Sequence, residues 1–356
     1  MQSSLAPATL LELADIVQAT PLVLAVGART KPRLSQVQDG VALLSMCALS
    51  GIVEYDPGEF TFTALAGTPV REIAAALAER GQYLPFDPLL MDAGATLGGT
   101  VAAGLSGPGR FRFGGVRDFI LGVRFVDGAG RLLRMGGKVV KNAAGFDLPK
   151  FFTGSLGRFG VLAEMTFKVF PRAATTRTVR LTLDGIDAAA RVLTEAANTR
   201  WEPDALDVLP DGKSVLLRLA APEPALDALS REVLARWPGT ILDVEEAARS
   251  WSEICEFSWA HATGELIKVA LTAAQLPALH RAMEGARIHA SAGGDVAFVS
   301  SPDGSAIDGT LRTLGLSGMT LRGTGSLWCG VRSQTQIARA VKDALDPQQR
   351  FPTLDD

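Results

Sequence analysis

Glycine is crowded into one part of this 356-residue chain, and that crowding limits what the chain can fold into. From Met91 the sequence runs M-D-A-G-A-T-L-G-G-T-V-A-A-G-L-S-G-P-G-R, followed by G-G-V-R-D-F-I-L-G-V-R. It then runs V-K-N-A-A-G-F-D-L-P-K-F-F-T-G-S-L-G-R-F-G-V-L-A-E-M-T-F-K-V-F-P to Pro171. Glycine at this density, mixed with small residues and Arg/Lys, suits a backbone lying close against a large anionic ligand. It tolerates positive φ and, lacking a Cβ, lets peptide N–H groups approach phosphate oxygens. After Pro171-Arg172 glycine thins out, and that shift in texture marks a domain boundary.

The length allows two domains, each with its own core. A net charge of −3 gives no whole-chain reason to expect nucleic acid. Between 101 and 170, however, eleven Lys/Arg face only four Asp/Glu, a local excess that suits an anionic ligand or an acidic partner surface. No apolar run reaches transmembrane length, and the start M-Q-S-S-L-A-P lacks the cationic region of a signal peptide. Cys47, Cys255 and Cys329 are far apart and odd in number, which points to free thiols and a cytoplasmic protein. With no C-x-x-C, an iron–sulfur cluster receiving this chain's electrons would sit on a partner.

Thr9 and Glu12 read as a capping box opening a helix over 10–19. The run P-L-V-L-A-V-G (21–27) reads as a buried strand delivering a loop. A turn at Asp56-Pro57-Gly58 separates two strands, Thr68-Pro69 caps a helix ending at Gly81, and a hairpin is expected near 127–130. Beyond 172, two series of elements follow the β-α-β-β-α-β order of a ferredoxin-like unit. The first covers strand 178–184, helix 186–197, strands 204–209 and 214–220, helix 223–236 and strand 239–244. The second covers strand 265–272, helix 274–285, strands 287–291 and 295–300, helix 305–314 and strand 318–323. Together they predict one antiparallel sheet with helices on one face, and a last helix over 334–345 ends at Asp346-Pro347.

No G-x-G-x-x-G follows a strand, which argues against a Rossmann site. Gly136-Gly137-Lys138 mimics the end of a phosphate-binding P-loop, but Val139 replaces the Ser/Thr and Leu132 the required glycine. Gly27-Ala28-Arg29-Thr30-Lys31 by itself reads as a surface turn with solvated Arg and Lys, a reading that the second glycine region reverses. Ala95-Thr96-Leu97-Gly98-Gly99-Thr100 through Gly104 is the stronger signal. Helix–sheet packing explains its small residues but leaves the adjoining Gly107, Gly109, Gly114 and Gly115 unexplained.

These pieces, with Arg117-Asp118, Lys141-Asn142-Ala143-Ala144-Gly145-Phe146-Asp147-Leu148 and Gly154-Ser155-Leu156-Gly157…Gly160-Val161-Leu162, resemble in order and spacing a known family across 21–171. It is the FAD-binding domain shared by vanillyl-alcohol oxidase and p-cresol methylhydroxylase (PCMH-type). Within it the likeness is to the FAD-binding subunits of bacterial glycolate oxidases. The resemblance implies an α+β fold: a two-subdomain FAD domain over 1–172, a smaller cap of antiparallel sheet and helices over 173–330, and a C-terminal helix and tail over 331–356 returning to the FAD domain.

It also implies roles for residues. Gly27, Ala28, Arg29, Thr30 and Lys31 would form the first pyrophosphate loop. Ala95, Thr96, Leu97, Gly98, Gly99, Thr100, Gly104 and Gly107 would lie under the pyrophosphate and ribityl chain. Arg117, Asp118, Lys141, Asn142, Gly145 and Asp147 would fix the flavin region, and Gly157, Gly160, Val161 and Leu162 would receive the adenine end. Phe146 stands where relatives carry Tyr, and Pro352 where they carry an Asn near the flavin. No His precedes 261 and Cys47 lies outside the loops, so the FAD is expected to be non-covalent.

By the same resemblance the partners are a larger flavin subunit and an iron–sulfur subunit, the substrate a small 2-hydroxy acid, and the membrane is reached only through the complex. The catalytic residues stay unassigned. His261, His280 and His289 lack metal-site spacing. Arg322 and Arg332 could bind a carboxylate but read first as surface ion pairs, and Tyr55 and Tyr83 read as structural. Oxidation of glycolate to glyoxylate is the leading expectation. A stand-alone FAD oxidoreductase of another 2-hydroxy acid or alcohol, and a non-catalytic flavin relay or assembly subunit, are the alternatives.

Overall fold

The computed structural model describes residues 5–137, 147–332, 335–353 and 355. They fall into two compact units. The first holds the stretch up to Ser106, Gly115–Arg172 and the C-terminal stretch; the second holds Gly107–Gly114 and Ala173–Arg332.

The first unit opens with helix α1 (Leu10–Ala19), whose buried Leu13 and Val17 lie one turn apart. Thr9 Oγ1 accepts from the Glu12 amide at 3.2 Å as expected, but the Glu12 carboxylate caps the Ala8 amide (2.8 Å) rather than that of Thr9. Strand β1 (Val23–Val26) pairs in parallel with β2 (Ala42–Ser45). Strands β3 (Ile52–Asp56) and β4 (Thr61–Leu65) form a hairpin whose turn is closed by Asp56 Oδ1, which accepts from the Gly58 and Glu59 amides. Helix α2 (Val70–Ala78) starts at Pro69 without a side-chain cap. Thr68 instead staples the preceding loop, accepting from Gly51 N at 2.9 Å and donating to Leu65 O at 2.7 Å. The expected Thr68 cap is therefore absent.

Strand β5 (Gln82–Tyr83) and helix α3 (Leu97–Ala103) precede the short helix α4 (Arg110–Phe113), which belongs to the second unit. Strands β6 (Ile120–Val126) and β7 (Leu132–Gly136) make the expected hairpin, with Asp127 accepting from Ala129 N, Arg131 N and the Arg131 guanidinium. After helix α5 (Leu148–Phe151), strand β8 (Val161–Lys168) completes an antiparallel sheet in the order β3-β4-β8-β6-β7, and β9 (Phe170–Pro171) pairs with β5. Phe62 and Phe167 stack across the sheet at 5.7 Å within an aromatic core that also takes in Phe86 and Phe119.

The second unit is built from β10 (Thr176–Thr182), α6 (Ile186–Ala197), β11 (Ala205–Val208), β12 (Ser214–Ala220), α7 (Glu223–Arg236) and β13 (Gly239–Ile241). These are followed by α8 (Val244–Cys255), β14 (Glu265–Ala270), α9 (Leu276–Ala282), β15 (Arg287–Ser291), β16 (Val296–Ser301), α10 (Ile307–Thr313), β17 (Ser317–Arg322) and β18 (Trp328–Gly330). The nine strands form one sheet, ordered β13-β10-β12-β11-β15-β16-β14-β17-β18. Each β-α-β-β-α-β series thus keeps its own strand order, and the two mirror one another across β11 and β15, joined by the pair Val208 and Ala290.

Residues from α6, α7, α9 and α10 share one apolar core with alternate sheet residues such as Leu206, Leu217 and Val269. Helix α8 departs from the expected one-sided arrangement. Its Trp251 and Ile254 cover the opposite face over Ala205 and Leu216. The Asp243…Glu246 spacing was its signal: Asp243 caps the Glu246 amide at 2.7 Å. The C-terminal helix α11 (Thr335–Leu345) belongs to the first unit. Among the described residues no helix is long and apolar enough to cross a membrane.

Lys268 on β14 is largely buried, and burial together with the nearby Arg110 guanidinium lowers its pKa to about 8. Below pH 8 the ammonium is charged both folded and unfolded, and its burial opposes folding. Between pH 8 and 10.5 the unfolded chain still binds the proton that the folded one releases, so stability rises with pH across that window. Urea melts at pH 7 and pH 10 should show the Lys268→Met variant ahead of the wild type at pH 7. That lead, at most about 3 kcal/mol, should largely vanish at pH 10.

Candidate functional site

A cleft opens in the first unit where three segments meet. One part, about 390 Å³, is lined by Gly27, Met46, Ala66, Thr96, Gly98, Gly99, Ser155, Gly157, Gly160 and Leu162, among others. An adjoining part, about 460 Å³, is lined by Ala28, Arg29, Thr30, Lys31, Leu34, Ser35 and Leu156, and shares Gly27, Thr96 and Gly99 with the first.

Strand β1 delivers the first wall. A Cβ on Gly27 would stand 2.2 Å from Thr96 Oγ1, so only glycine lets this loop lie against the start of α3. Arg29 takes a left-handed φ of 52°, turning the backbone at the loop tip. Lys31 is 8 % exposed and donates to Thr30 Oγ1 at 3.0 Å, which fixes an ammonium beside the cleft.

The second wall is the start of α3. Thr96 caps it, accepting from Gly99 N at 3.3 Å. The Leu97 and Gly98 amides donate to Thr68 O (2.9 Å) and Ala66 O (2.8 Å). The first-turn N–H groups are thus committed to the protein, and the segment offers space rather than phosphate donors. The third wall, 154–160, is stitched to the far end of α3, with Gly154 N bonded to Val101 O and Leu156 N to Ala102 O. Gly157 (φ 73°) and Gly160 (φ 157°) hold turns there that L side chains rarely adopt. Ser155 Oγ is buried and lines the cleft with no hydrogen-bond partner among the described residues.

The structure therefore brings together Gly27, Ala28, Arg29, Thr30, Lys31, Thr96, Gly98, Gly99, Gly157, Gly160 and Leu162. Other expected site residues do other work. Leu97 and Val161 are core residues, and Ala95 is buried with its amide bonded to Leu90 O. Thr100 is buried one turn along α3. Gly104 ends α3 at φ 61°. Asp118 closes its own turn on Gly115 N, and Arg117 beside it is exposed. Asp147 caps α5, and Gly107 lies in the second unit. Lys141, Asn142 and Gly145 lie outside the described residues. Met46, Ala66, Leu34 and Ser35 line the cleft without any signal in their own sequence. They arrive through the β1–β2 pairing, the end of β4 and the turn after Lys31.

Residues 2–136 match a family described as FAD binding domain. Nearly all of that match falls in the first unit. The glycolate oxidase subunit GlcE of Escherichia coli (strain K12) is 47% identical over 165 residues, 46% of this chain and 47% of that protein. The glycolate oxidase subunit GlcD of Bacillus subtilis (strain 168) is 30% identical over 171 residues, 48% of this chain and 36% of that protein. The chain thus spans less than half the length of these curated relatives. In fold, an alkyldihydroxyacetonephosphate synthase superposes with a TM-score of 0.69 at 15% identity, covering 97% of this chain and 75% of the other.

FAD fits this cleft on two counts. Its walls carry glycines at 27, 98, 99, 157 and 160, which leave backbone without side chains along the cleft, and the Ser155 hydroxyl is a buried polar group left for a ligand to satisfy.

In the second unit, polar groups that a hydroxy-acid site would draw on are partly engaged, although the buried His289 Nδ1 and Arg322 Nε have no hydrogen-bond partner among the described residues. His289 Nε2 bonds to buried Asp207 (2.9 Å), which also accepts from Ser291 Oγ and Ala292 N. Arg322 donates to the His261 carbonyl, the His261 amide to Ser300 Oγ, and the Arg332 guanidinium sits over the Trp328 ring.

Proposed function

We propose that this chain is the FAD-binding subunit of a glycolate oxidase-type complex, an FAD-dependent oxidoreductase subunit acting on the CH–OH group of a small 2-hydroxy acid. The observation that carries it is the convergence of 27–31, 96–99 and 155–162 on one glycine-walled cleft, the first two of these segments lying within the stretch that matches the FAD binding domain. When bound, FAD supplies the acceptor for the hydride taken from the substrate's α-carbon and passes the electrons on. Lys31 and Thr30 would hold the pyrophosphate, Gly27 and Gly99 would let it lie against the backbone, and Ser155 would bond a polar group of the cofactor. The glycines at 157 and 160 would keep the third wall clear.

The cofactor is held without a covalent bond, the larger flavin subunit and an iron–sulfur subunit are the partners, and the complex works in the cytoplasm, meeting the membrane only through those partners. A relay or assembly role with chemistry on the larger partner is the second reading. It is favoured by the commitment of His289 and Arg322 to bonds within the second unit.

The visible spectrum of the purified chain, reconstituted with FAD and then exposed to glycolate without oxygen, tests these readings. Flavin that bleaches gives the chain its own active site; flavin that stays oxidised favours the relay; no uptake overturns the cofactor site. Acid precipitation should leave the yellow colour in the supernatant. A yellow pellet would mean a covalent link and would direct attention to Cys47, exposed and adjacent to cleft residue Met46.

A further inference from the structure

Arg158 is the bulkiest fully buried side chain among the described residues, 1 % exposed, yet it lies one residue from Gly157 in the third wall of the cleft. A guanidinium is costly to remove from water and is kept inside only where planar hydrogen bonding repays it. Its Nη1 donates to Leu156 O at 2.5 Å and to Leu34 O at 3.4 Å. Leu156 and Leu34 both line the larger part of the cleft, but from different walls: Leu156 in the 154–160 segment, Leu34 in the turn that follows Lys31. The charge is also felt on the far side, where, after burial itself, the Arg158 guanidinium helps pull Lys342 on α11 below its ordinary lysine value, while Asp346 pulls it back up.

Resting on the FAD reading above, we infer that Arg158 is a positioning residue that spaces the first and third walls for the pyrophosphate. One guanidinium nitrogen bonded to a carbonyl in each wall fixes the gap between Lys31 and Leu156, and holds positive charge behind that gap without touching the ligand. The part of the cleft so spaced carries Thr30 and Lys31, so the effect falls on the phosphates rather than on the ring system.

The test compares FAD with riboflavin, which has no phosphate, in fluorescence titrations of the full-length apo chain, alongside a thermal melt. Arg158→Gln should weaken FAD by about tenfold to a hundredfold while riboflavin keeps its wild-type affinity. Unchanged FAD affinity, or equal losses for both ligands, overturns the inference, the second result marking a merely structural residue. If Arg158→Gln does not fold, Arg158→Lys decides. Its ammonium keeps the charge but not the planar reach, so FAD weakened with riboflavin unaffected supports the bridge, and unchanged FAD affinity overturns it. A wild-type chain that takes up no FAD overturns the cofactor reading itself, and is told apart from the other outcomes because it appears before any substitution is made.

Discussion

Gly27→Val is expected to give a folded chain that no longer holds FAD. The first added carbon would stand 2.2 Å from Thr96 Oγ1 and 3.3 Å from its Cβ, and two further methyls would crowd a point where both residues line the cleft. Thr96 cannot simply turn away, because its hydroxyl caps the Gly99 amide at the start of α3. Losing such a cap lowers stability by about 1 kcal/mol, a tolerable loss for a domain of this size. The loss of ligand space is not tolerable: FAD affinity should fall by at least about a hundredfold, roughly 2.7 kcal/mol. Fluorescence titration with FAD and a thermal melt separate the two effects. A variant with near-native melting and near-native FAD affinity would remove this loop from the site. Gly27→Ala combined with Thr96→Ala should recover part of the affinity lost by Gly27→Ala alone, because the colliding oxygen is gone.

Asp346→Ala should cost the first unit about 3–5 kcal/mol, the range seen when one partner of a buried ion pair is deleted. Asp346 is 1 % exposed and accepts from Lys342 Nζ at 2.5 Å, Arg350 N at 2.8 Å and Phe351 N at 3.0 Å. Its removal leaves the Lys342 ammonium, which still donates to Phe351 O at 3.0 Å, without its counter-charge and strands two amides. The damage should not stay at the C-terminus. Arg350 O accepts from Val23 N at 2.7 Å and the Arg350 guanidinium donates to Thr20 O at 2.9 Å, so the tail holds the start of β1, which delivers the Gly27 loop. Urea melts should show the loss, with weaker FAD binding well below the unfolding midpoint. Lys342→Met with Asp346→Leu, which leaves no charge unpaired, should recover more than half of the lost stability. If the single substitution proves neutral, the pair does not hold the tail.

What could be read from the sequence follows from which residues carry local information. The apolar run ending at Gly27 and the glycines at 98, 99, 157 and 160 announce themselves, because their backbone must pass where no Cβ fits. The β-α-β-β-α-β series were equally legible, since their apolar periodicity is local. Met46 and Ala66 were not, because strand pairing brings them to the cleft. Thr96 lines the cleft, but its hydroxyl has another role. A Thr before a glycine-rich helix start reads as part of an anion site, but its hydroxyl is spent inside the helix. Arg117, Asp118 and Asp147 looked like ligand-facing charges, yet the carboxylates close their own turns and Arg117 lies outside the cleft. Helix α8 was hidden because Thr240 and Ile241 suggested that a strand continued through its cap residue, Asp243.

The tail that holds β1 also sets an order of events during synthesis. The partners of Val23 and Thr20 lie more than three hundred residues further along the chain, and all of the second unit is translated between them. Throughout that interval the nascent first strand carries a Val23 amide whose acceptor has not been made. The nine-stranded sheet of the second unit has all its strands before α11 and the tail emerge. The first unit, begun before the second, is therefore finished after it, and flavin uptake belongs to the end of folding rather than its beginning.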